Sequence, residues 1–224
     1  MALTYRNGTF VTVNATSGTP TVPTGTVDGD LMFLSCGTTT DVINSIDASW
    51  TQIGLINNGS YYNYLYFKVA DSEPASYTVG FNGSTKSTIS ITSFYGFNYD
   101  TTDPVDVVSQ TPYIVSNTTN RAASMTVTNP DSAILWFSYL QVASVTTVTN
   151  PTVPFTMTEY QFAGTVFSDL FIAVKGGEWT GSGATGDMDG TISLGDLTDR
   201  KAAIAVAINP VTNAVKSVNG VSNV

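Results

Sequence analysis

The sequence has no histidine and only one cysteine, and 11% of its 224 residues are charged. Without histidine, Ser-His-Asp and Cys-His catalytic arrangements and most transition-metal sites are excluded. The single Cys36 rules out an internal disulfide. It lies at the end of the apolar run Leu31–Cys36 with no cationic neighbour, which predicts a buried, unreactive thiol. Only three glutamates occur, at Glu73, Glu159 and Glu178, so we expect no enzyme and no cofactor.

Positive charge and long hydrophobic runs are also scarce. The net charge is -9, and the eight Lys and Arg residues are scattered along the chain. They form no basic stripe that would neutralise phosphates, so we expect no direct binding to nucleic acid or to an anionic membrane. No run reaches the roughly 20 apolar residues of a membrane span, and the N-terminus lacks the apolar core of a signal peptide. We therefore expect synthesis in a cytoplasm and no membrane partner.

What the sequence does contain is strand pattern, most clearly in Tyr61–Phe81. In the first part of this range, apolar residues alternate with tyrosines and a lysine at a period of two, which is typical of a strand with two different faces. One face carries Leu65, Phe67 and Val69, and the other carries Tyr62, Tyr64, Tyr66 and Lys68. A break at Asp71–Ala75 is followed by Tyr77, Val79 and Phe81 on one face. This pattern predicts a β-hairpin.

Similar patterns continue along the chain and predict roughly ten to twelve strands with almost no helix. The runs Leu31–Cys36 and Ala133–Val142 are apolar on both faces, which places them at the middle of a sheet. Val42–Ile46 is ambiguous and fits one helical turn, and Gly176–Gly190 is predicted to be a long flexible loop. The predicted fold is all-β, a jelly-roll-like antiparallel β-sandwich with one domain over residues 1–210 and an extended C-terminal arm over residues 211–224.

Several segments resemble the jelly-roll domains in virion structural proteins of tailed bacteriophages. The matching segments, from about Val22 to Pro210, are Pro23-x-Gly25, Asp28-Gly-Asp-Leu31, Trp50-Thr51, Leu65-Tyr-Phe-Lys-Val-Ala70, Pro74-Ala-Ser-Tyr-Thr78, Tyr95-Gly96, Asp103-Pro-Val-Asp106 and Asn209-Pro210. Such domains occur in capsid decoration proteins, head fibres and tail adhesins. The resemblance implies no catalytic residues. It implies a virion protein that binds other virion proteins, first of all the major capsid protein, and an accessory head protein is favoured because long fibrous repeats are lacking.

Beyond Pro210 the sequence changes character. Val215, Val218, Val221 and Val224 follow one another at a spacing of three in an Asn- and Ser-rich segment. This segment looks like the Asn-Gly-Val tail repeats at the ends of phage structural proteins. A strand with period two cannot keep all four valines on one face, whereas a chain winding with three residues per turn can. We expect a docking arm and a homo-oligomer, with a trimer as the first guess; a frayed end is the alternative.

Aromatic residues provide the candidate binding surfaces. Tyr62, Tyr64 and Tyr66 on one strand face fit a platform for sugar rings, a wall against a neighbouring subunit, or a core face covered by a second layer of the same domain. Trp50 and Trp136 are expected in the core, whereas Trp179 lies among glycines and is expected to be exposed. A carbohydrate-binding adhesin that uses the tyrosine face or Trp179 is therefore the alternative function.

Four aspartates near the C-terminus raise one metal hypothesis. They are Asp187, Asp189, Asp196 and Asp199. Asp-x-Asp-Gly loops supply the hard oxygen ligands of calcium, but the glycine here is out of place for an EF-hand and no glutamate closes the loop. We therefore expect solvated loop acids and no bound metal.

Overall fold

The structure, a computed structural model, describes residues 3–40, 42–96, 99–115, 118–141, 145–165, 170–181, 183–194 and 200–211. These residues form sixteen β-strands and no helix, so none of them belongs to a helix that could cross a membrane. The strands are β1 (Thr4–Gly18), β2 (Leu31–Thr38), β3 (Ile43–Ser45), β4 (Thr51–Asn57), β5 (Tyr62–Val69), β6 (Val79–Tyr95), β7 (Val105–Val115), β8 (Thr119–Ala122), β9 (Thr126–Val127), β10 (Ala133–Gln141), β11 (Val145–Val148), β12 (Thr158–Thr165), β13 (Leu170–Glu178), β14 (Gly183–Ala184), β15 (Met188–Leu194) and β16 (Arg200–Ile208).

Two large antiparallel sheets form the body of the protein. The N-terminal sheet has the order β1-β6-β2-β5-β4, with β3 also paired to β6. The C-terminal sheet has the order β7-β16-β10-β13-β12. When the strands of each order are numbered along the chain, leaving out β3, the first strand pairs with the fifth, the fifth with the second, the second with the fourth and the fourth with the third in both sheets. The two halves of the chain therefore build sheets of the same topology.

The two sheets pack face to face around the central core. Phe33 of the N-terminal sheet and Phe137 of the C-terminal sheet meet there with ring centroids 5.4 Å apart. Gly54 on β4 lets the sheets approach closely, because a Cβ at this position would come within 2.7 Å of the Ile204 side chain. The fold is thus an all-β sandwich, as the sequence predicts.

Each sheet is also buried on its outer face. Loop segments and β3 cover the N-terminal sheet over a core that includes Met32, Cys36 and Ile91. The two small sheets, β11-β15-β8 and β14-β9, lie on the side of the C-terminal sheet where Trp136, Ala203, Ala205 and Ala207 are buried. Burial on both faces explains why β2 and β10 have no polar face.

The predicted Tyr61–Phe81 hairpin is wrong. β5 pairs with β2 and β4, and β6 pairs with β1, β2 and β3, so β2 separates the two strands that the hairpin would have joined. Residues 70–78 instead cross the outer face beside residues 20–22, where Tyr77 N donates to Pro20 O. The alternation correctly identified faces, but periodicity carries no information about which strands pair.

Three further expectations are corrected. Val42–Ile46 forms no helical turn, because Ile43–Ser45 pairs with β6 as β3. Gly176–Gly190 is not one long loop, since β13 extends to Glu178 and β14 and the start of β15 follow. The structure has more strands than the ten to twelve predicted because it includes strands of two to four residues. Such strands are too short to show a period in the sequence. Jelly-roll topology is not confirmed: a jelly roll mixes strands from both halves of the chain in each sheet, whereas each large sheet here comes from one half.

Candidate functional site

The tyrosine face of β5 is part of the core. The rings of Tyr62, Tyr64 and Tyr66 form a stacked ladder with successive centroids 6.3 Å apart. Tyr64 is 4% exposed and Tyr66 is 6% exposed, and Tyr66 OH donates to Gln52 Oε1 at 3.1 Å. Burial raises the pKa of Tyr66 to about 12. A second layer of the same domain covers Tyr64 and Tyr66 and leaves Tyr62 partly exposed, so the three rings do not present a flat platform to a ligand.

The cover over this face is closed by a buried polar cluster, which we call the Lys68 cluster: Trp50, Lys68, Glu73 and Tyr77. Lys68 Nζ lies 2.7 Å from Glu73 Oε1 and donates to Tyr77 OH at 2.7 Å. Tyr77 OH in turn donates to Glu73 Oε2 at 2.5 Å, and the Trp50 ring packs edge-on against Tyr77. The Lys68 and Glu73 side chains are only 8% and 7% exposed. Burial lowers the pKa of Lys68, but the hydrogen bonds to Glu73 and Tyr77 outweigh this and leave the pKa raised.

A second buried polar group joins β1, β2 and β6. Asp30 receives a bidentate pair of hydrogen bonds from Arg6, at 2.5 Å from Nε and 3.0 Å from Nη2. The same carboxylate accepts from Val27 N at 3.1 Å and from Ser93 Oγ at 3.2 Å. Asp30 thus fixes the turn that leads into β2, and its role is structural.

The C-terminal sheet carries a lysine in a comparable place. Lys175 on β13 is fully buried, and Nζ donates to Val148 O and Asn150 Oδ1 at 2.7 Å each and to Glu159 Oε2 at 2.6 Å. Glu159 lies directly opposite Lys175 in the β12-β13 pairing. Its side chain is 44% exposed, unlike that of Glu73. A cavity of about 430 Å³ adjoins this pair and is lined by residues 147–150, Glu159, Phe162 and Lys175.

Trp179 is not the exposed aromatic that the sequence predicts. It is partly buried and packs against the outer core of the C-terminal sheet. Its backbone N donates to Ser132 O at 2.7 Å, and Gly181 lies against the ring, where a Cβ would come within 2.6 Å. Trp50 and Trp136 are buried, which confirms the prediction for both.

Two of the four C-terminal aspartates have a protein partner. Arg121 on β8 forms a bidentate pair with Asp189, at 2.7 Å and 2.6 Å, and its Nη1 lies 3.0 Å from Asp187 Oδ2. Asp196 and Asp199 lie outside the described residues. In the part of the chain that the structure describes, no three Cys, Asp or Glu residues are grouped so that they could hold a metal ion.

The predicted docking arm also lies outside the described residues, which end at Val211. Val215, Val218, Val221 and Val224 therefore remain a prediction.

Sequence reasoning missed the Lys175 cavity. The available signal was Lys175 itself, a lysine directly after the apolar run Leu170–Val174. A lysine in a strand buried on both faces requires a partner that compensates its charge. The partner, Glu159, is 16 positions away and could be identified only once β12 and β13 were known to pair in register.

No protein-family model, no curated protein and no solved structure matches this chain.

Proposed function

We propose that this protein is a non-catalytic structural protein of a tailed-bacteriophage virion, an accessory capsid decoration protein that binds the assembled particle. The proposal includes a homo-oligomer, with a trimer as the first guess, and the major capsid protein as the main partner.

The observation that carries the proposal is that the fold brings together the segments with the phage resemblance. Trp50-Thr51, Leu65–Ala70 and Pro74–Thr78 meet in the Lys68 cluster through Trp50, Lys68 and Tyr77. Lys68 follows Trp50 by 18 positions and Tyr77 follows Lys68 by nine, yet all three side chains share one buried network. This supports treating them as one structural unit and not as separate chance matches.

Charge distribution supports a protein partner of basic character. Lys68, Lys175 and Lys201 are buried, and Arg6 and Arg121 are paired with aspartates. Exposed acids include Asp28, Asp71, Asp103, Asp131 and Glu178. Each of these pairs removes an acid together with a base, so the charges left exposed on the described surface are mainly acidic. A complementary partner would present Lys and Arg to them.

The mechanism is burial of surface area at an assembled lattice. Copies that bind the assembled state, but not the free subunits, stabilise the assembled state by mass action. Contacts that cross the boundary between two capsomers would resist their separation on heating.

Add-back to stripped particles tests this proposal. Purified full-length protein is added to particles from which it has been removed, and bound protein and heat resistance are measured. We expect saturable binding and recovered heat resistance. Absence of the protein from purified virions, together with no binding to particles, would contradict the proposal.

The alternative function, a carbohydrate-binding adhesin, is less well supported because the residues predicted to bind the sugar are buried or only partly exposed. Tyr64 and Tyr66 are buried, and Trp179 is partly buried in an outer core. Tyr62 alone of the tyrosine ladder is partly exposed. A role at the host surface therefore needs a different site on the molecule.

A further inference from the structure

The cavity beside Lys175 is a concave site on the outer face of the C-terminal sheet. Its volume of about 430 Å³ falls within the range of roughly 300–1,000 Å³ that small-molecule sites occupy. Its lining combines residues 147–150 of the cover with Glu159 and Phe162 of β12 and Lys175 of β13. The site thus lies where the cover and the sheet meet.

The charge in the cavity is compensated. Lys175 donates to three acceptors, which is the full capacity of an ammonium group. Glu159 neutralises this charge through Oε2, and its side chain is 44% exposed, so Oε1 can accept from other donors. A charged ligand would bring an uncompensated charge into this site, and that is costly. The pair therefore favours a neutral ligand that donates hydrogen bonds.

Asn150 and Phe162, which also line the cavity, define which chemical groups such a ligand must carry. Asn150 accepts from Lys175 through Oδ1, so its NH2 group is the part of the amide that can donate to a ligand. Phe162 supplies an apolar wall, and its ring is held by stacking on Phe171 with centroids 5.6 Å apart. A ligand that fits must combine hydroxyl donors and acceptors with one apolar C–H face.

We propose that this cavity binds one neutral sugar ring, with Glu159 Oε1 accepting from ring hydroxyls, Asn150 donating to one, and Phe162 packing against the C–H face. Hydroxyl donors to an ionised carboxylate form strong, charge-assisted hydrogen bonds, which gives the site its polar recognition. The ring is either a free monosaccharide or the terminal unit of a glycan. This inference does not depend on the virion proposal.

The test measures binding of a panel of neutral monosaccharides to the full-length protein by saturation-transfer NMR. The charged comparisons for each ring are its uronic acid and its 2-amino sugar, which are glucuronic acid and glucosamine in the case of glucose. We expect at least one neutral sugar to bind with a Kd of about 1 mM and both charged analogues of the same ring to bind more weakly. A glycan array then distinguishes a terminal unit, which binds on the array, from a free sugar, which binds only in solution.

Matched variants assign the binding to this cavity. Phe162→Ala should weaken sugar binding by about tenfold, whereas Phe10→Ala, at an exposed phenylalanine on β1, should leave it unchanged. Glu159→Gln should weaken binding by a similar factor, and Glu178→Gln, at an exposed position on β13, should not.

Thr147→Trp provides a variant that does not disturb Lys175. Thr147 is exposed at the cavity wall, so a tryptophan there should occlude the site, and Thr51→Trp on β4 is the matched control. Each variant is used only if its thermal unfolding remains cooperative. The proposal is overturned if no neutral sugar binds wild-type protein at about 50 mM, or if binding survives Thr147→Trp. It is also overturned if the charged analogues bind more tightly than the neutral sugars.

Discussion

The two large sheets have the same strand order, and each carries a lysine on the outward face of its fourth strand. Lys68 on β5 pairs in register with Met32, and Lys175 on β13 pairs in register with Trp136, so both side chains leave the central core and enter an outer one. Both lysines are paired with a glutamate. The surroundings of the two pairs nevertheless differ, because Glu73 is 7% exposed beneath its cover, whereas Glu159 is 44% exposed and lines a cavity.

The difference in exposure follows from which segment of the chain supplies each glutamate. Glu73 belongs to the covering segment itself, five residues after Lys68, and so closes over the lysine as the segment crosses the sheet. Glu159 belongs to the neighbouring strand and lies at the edge of the sheet, where the cover does not reach over it. The same chemical pair is a core element in one sheet and the wall of a site in the other. The apolar side chains on an outer face require that it be covered, and the covering segments determine whether a site remains.

The largest expected effect is the loss of stability when either glutamate is removed. Glu73→Ala leaves a buried ammonium with Tyr77 as its remaining polar partner in the Lys68 cluster, and we expect a loss of about 3–5 kcal/mol in the free energy of unfolding. Glu159→Ala leaves Lys175 with Val148 O and Asn150, beside a cavity that water can enter. We expect a loss of about 1–2 kcal/mol there. Urea unfolding of both variants measures the difference.

A double substitution sharpens this result. Lys68→Met with Glu73→Leu replaces the pair by apolar groups and should recover most of the lost stability, because no unpaired charge remains. Glu178→Ala controls for removal of an exposed glutamate. Equal losses for Glu73→Ala and Glu159→Ala would mean that the two covers do not differ in the way described.

Cys36 offers a probe of the closed cover alone. It lies on the outer face of β2 beneath this cover, and burial raises the pKa of its thiol, so labelling requires opening. Glu73→Ala should accelerate thiol labelling under native conditions by about 100-fold, the factor that corresponds to about 3 kcal/mol. Glu159→Ala should leave the rate unchanged if the cover opens without the rest of the protein. Acceleration by both variants would show that only global unfolding exposes Cys36.

The sequence predicted well which side chains share one face of a strand, and predicted poorly which strands pair with one another. Alternation in Tyr62–Val69 correctly separated the side chains of the central core from those of the outer core, and the two-sided apolar runs correctly placed β2 and β10 inside sheets. These are local consequences of a period of two. Pairing is a long-range property, so the same alternation was consistent with a hairpin that does not exist.

The candidate sites failed for a related reason. Tyr64 and Tyr66 were recognised as one face, but their exposure depends on loops that come from elsewhere in the chain. Trp179 lies among glycines, which locally indicates exposure, yet its ring packs against the outer core of the C-terminal sheet, which residues from other parts of the chain form. Asp187 and Asp189 could be paired with Arg121 only through the β8-β15 register. Each error concerns a partner more than 50 residues away or a cover that local pattern does not show.

A smaller expected effect is sensitivity of the closed cover to alkali. Burial raises the pKa of both Tyr66 and Tyr77, and the hydrogen bonds to Glu73 and Tyr77 raise the pKa of Lys68 despite its burial. All three folded-state values lie above the unfolded ones, so their contribution to stability is complete below about pH 10 and is lost as the pH rises through the folded-state values. The free energy of unfolding should be flat between about pH 7 and pH 9 and should fall above about pH 10.

Tyr66→Phe checks the origin of this fall. The variant removes one of the titrating groups from the closed cover, so the decline above pH 10 should be shallower than in the wild type. Exposed Tyr95→Phe is the matched control and should leave the decline unchanged. A decline that is identical in all three proteins would locate the responsible groups outside this cover.

The smallest expected effect on stability comes from deletion of residues 213–224. The last strand of the C-terminal sheet is fixed before this segment begins, because Asn209 N donates to Pro104 O at 2.9 Å and Asn129 Nδ2 donates to Asn209 Oδ1 at 2.7 Å. Pro210 also bridges Tyr99. Deletion should therefore change the Tm by no more than about 2 °C.

If the valines at a spacing of three dock on neighbouring copies, light scattering should show a smaller particle for the truncated protein. Replacement of Val215, Val218, Val221 and Val224 by serine keeps the length and should reduce the mass equally, since it removes the apolar contacts. An unchanged mass in both variants would exclude the arm as the basis of assembly, and a truncated protein that fails to fold would show that the segment belongs to the domain.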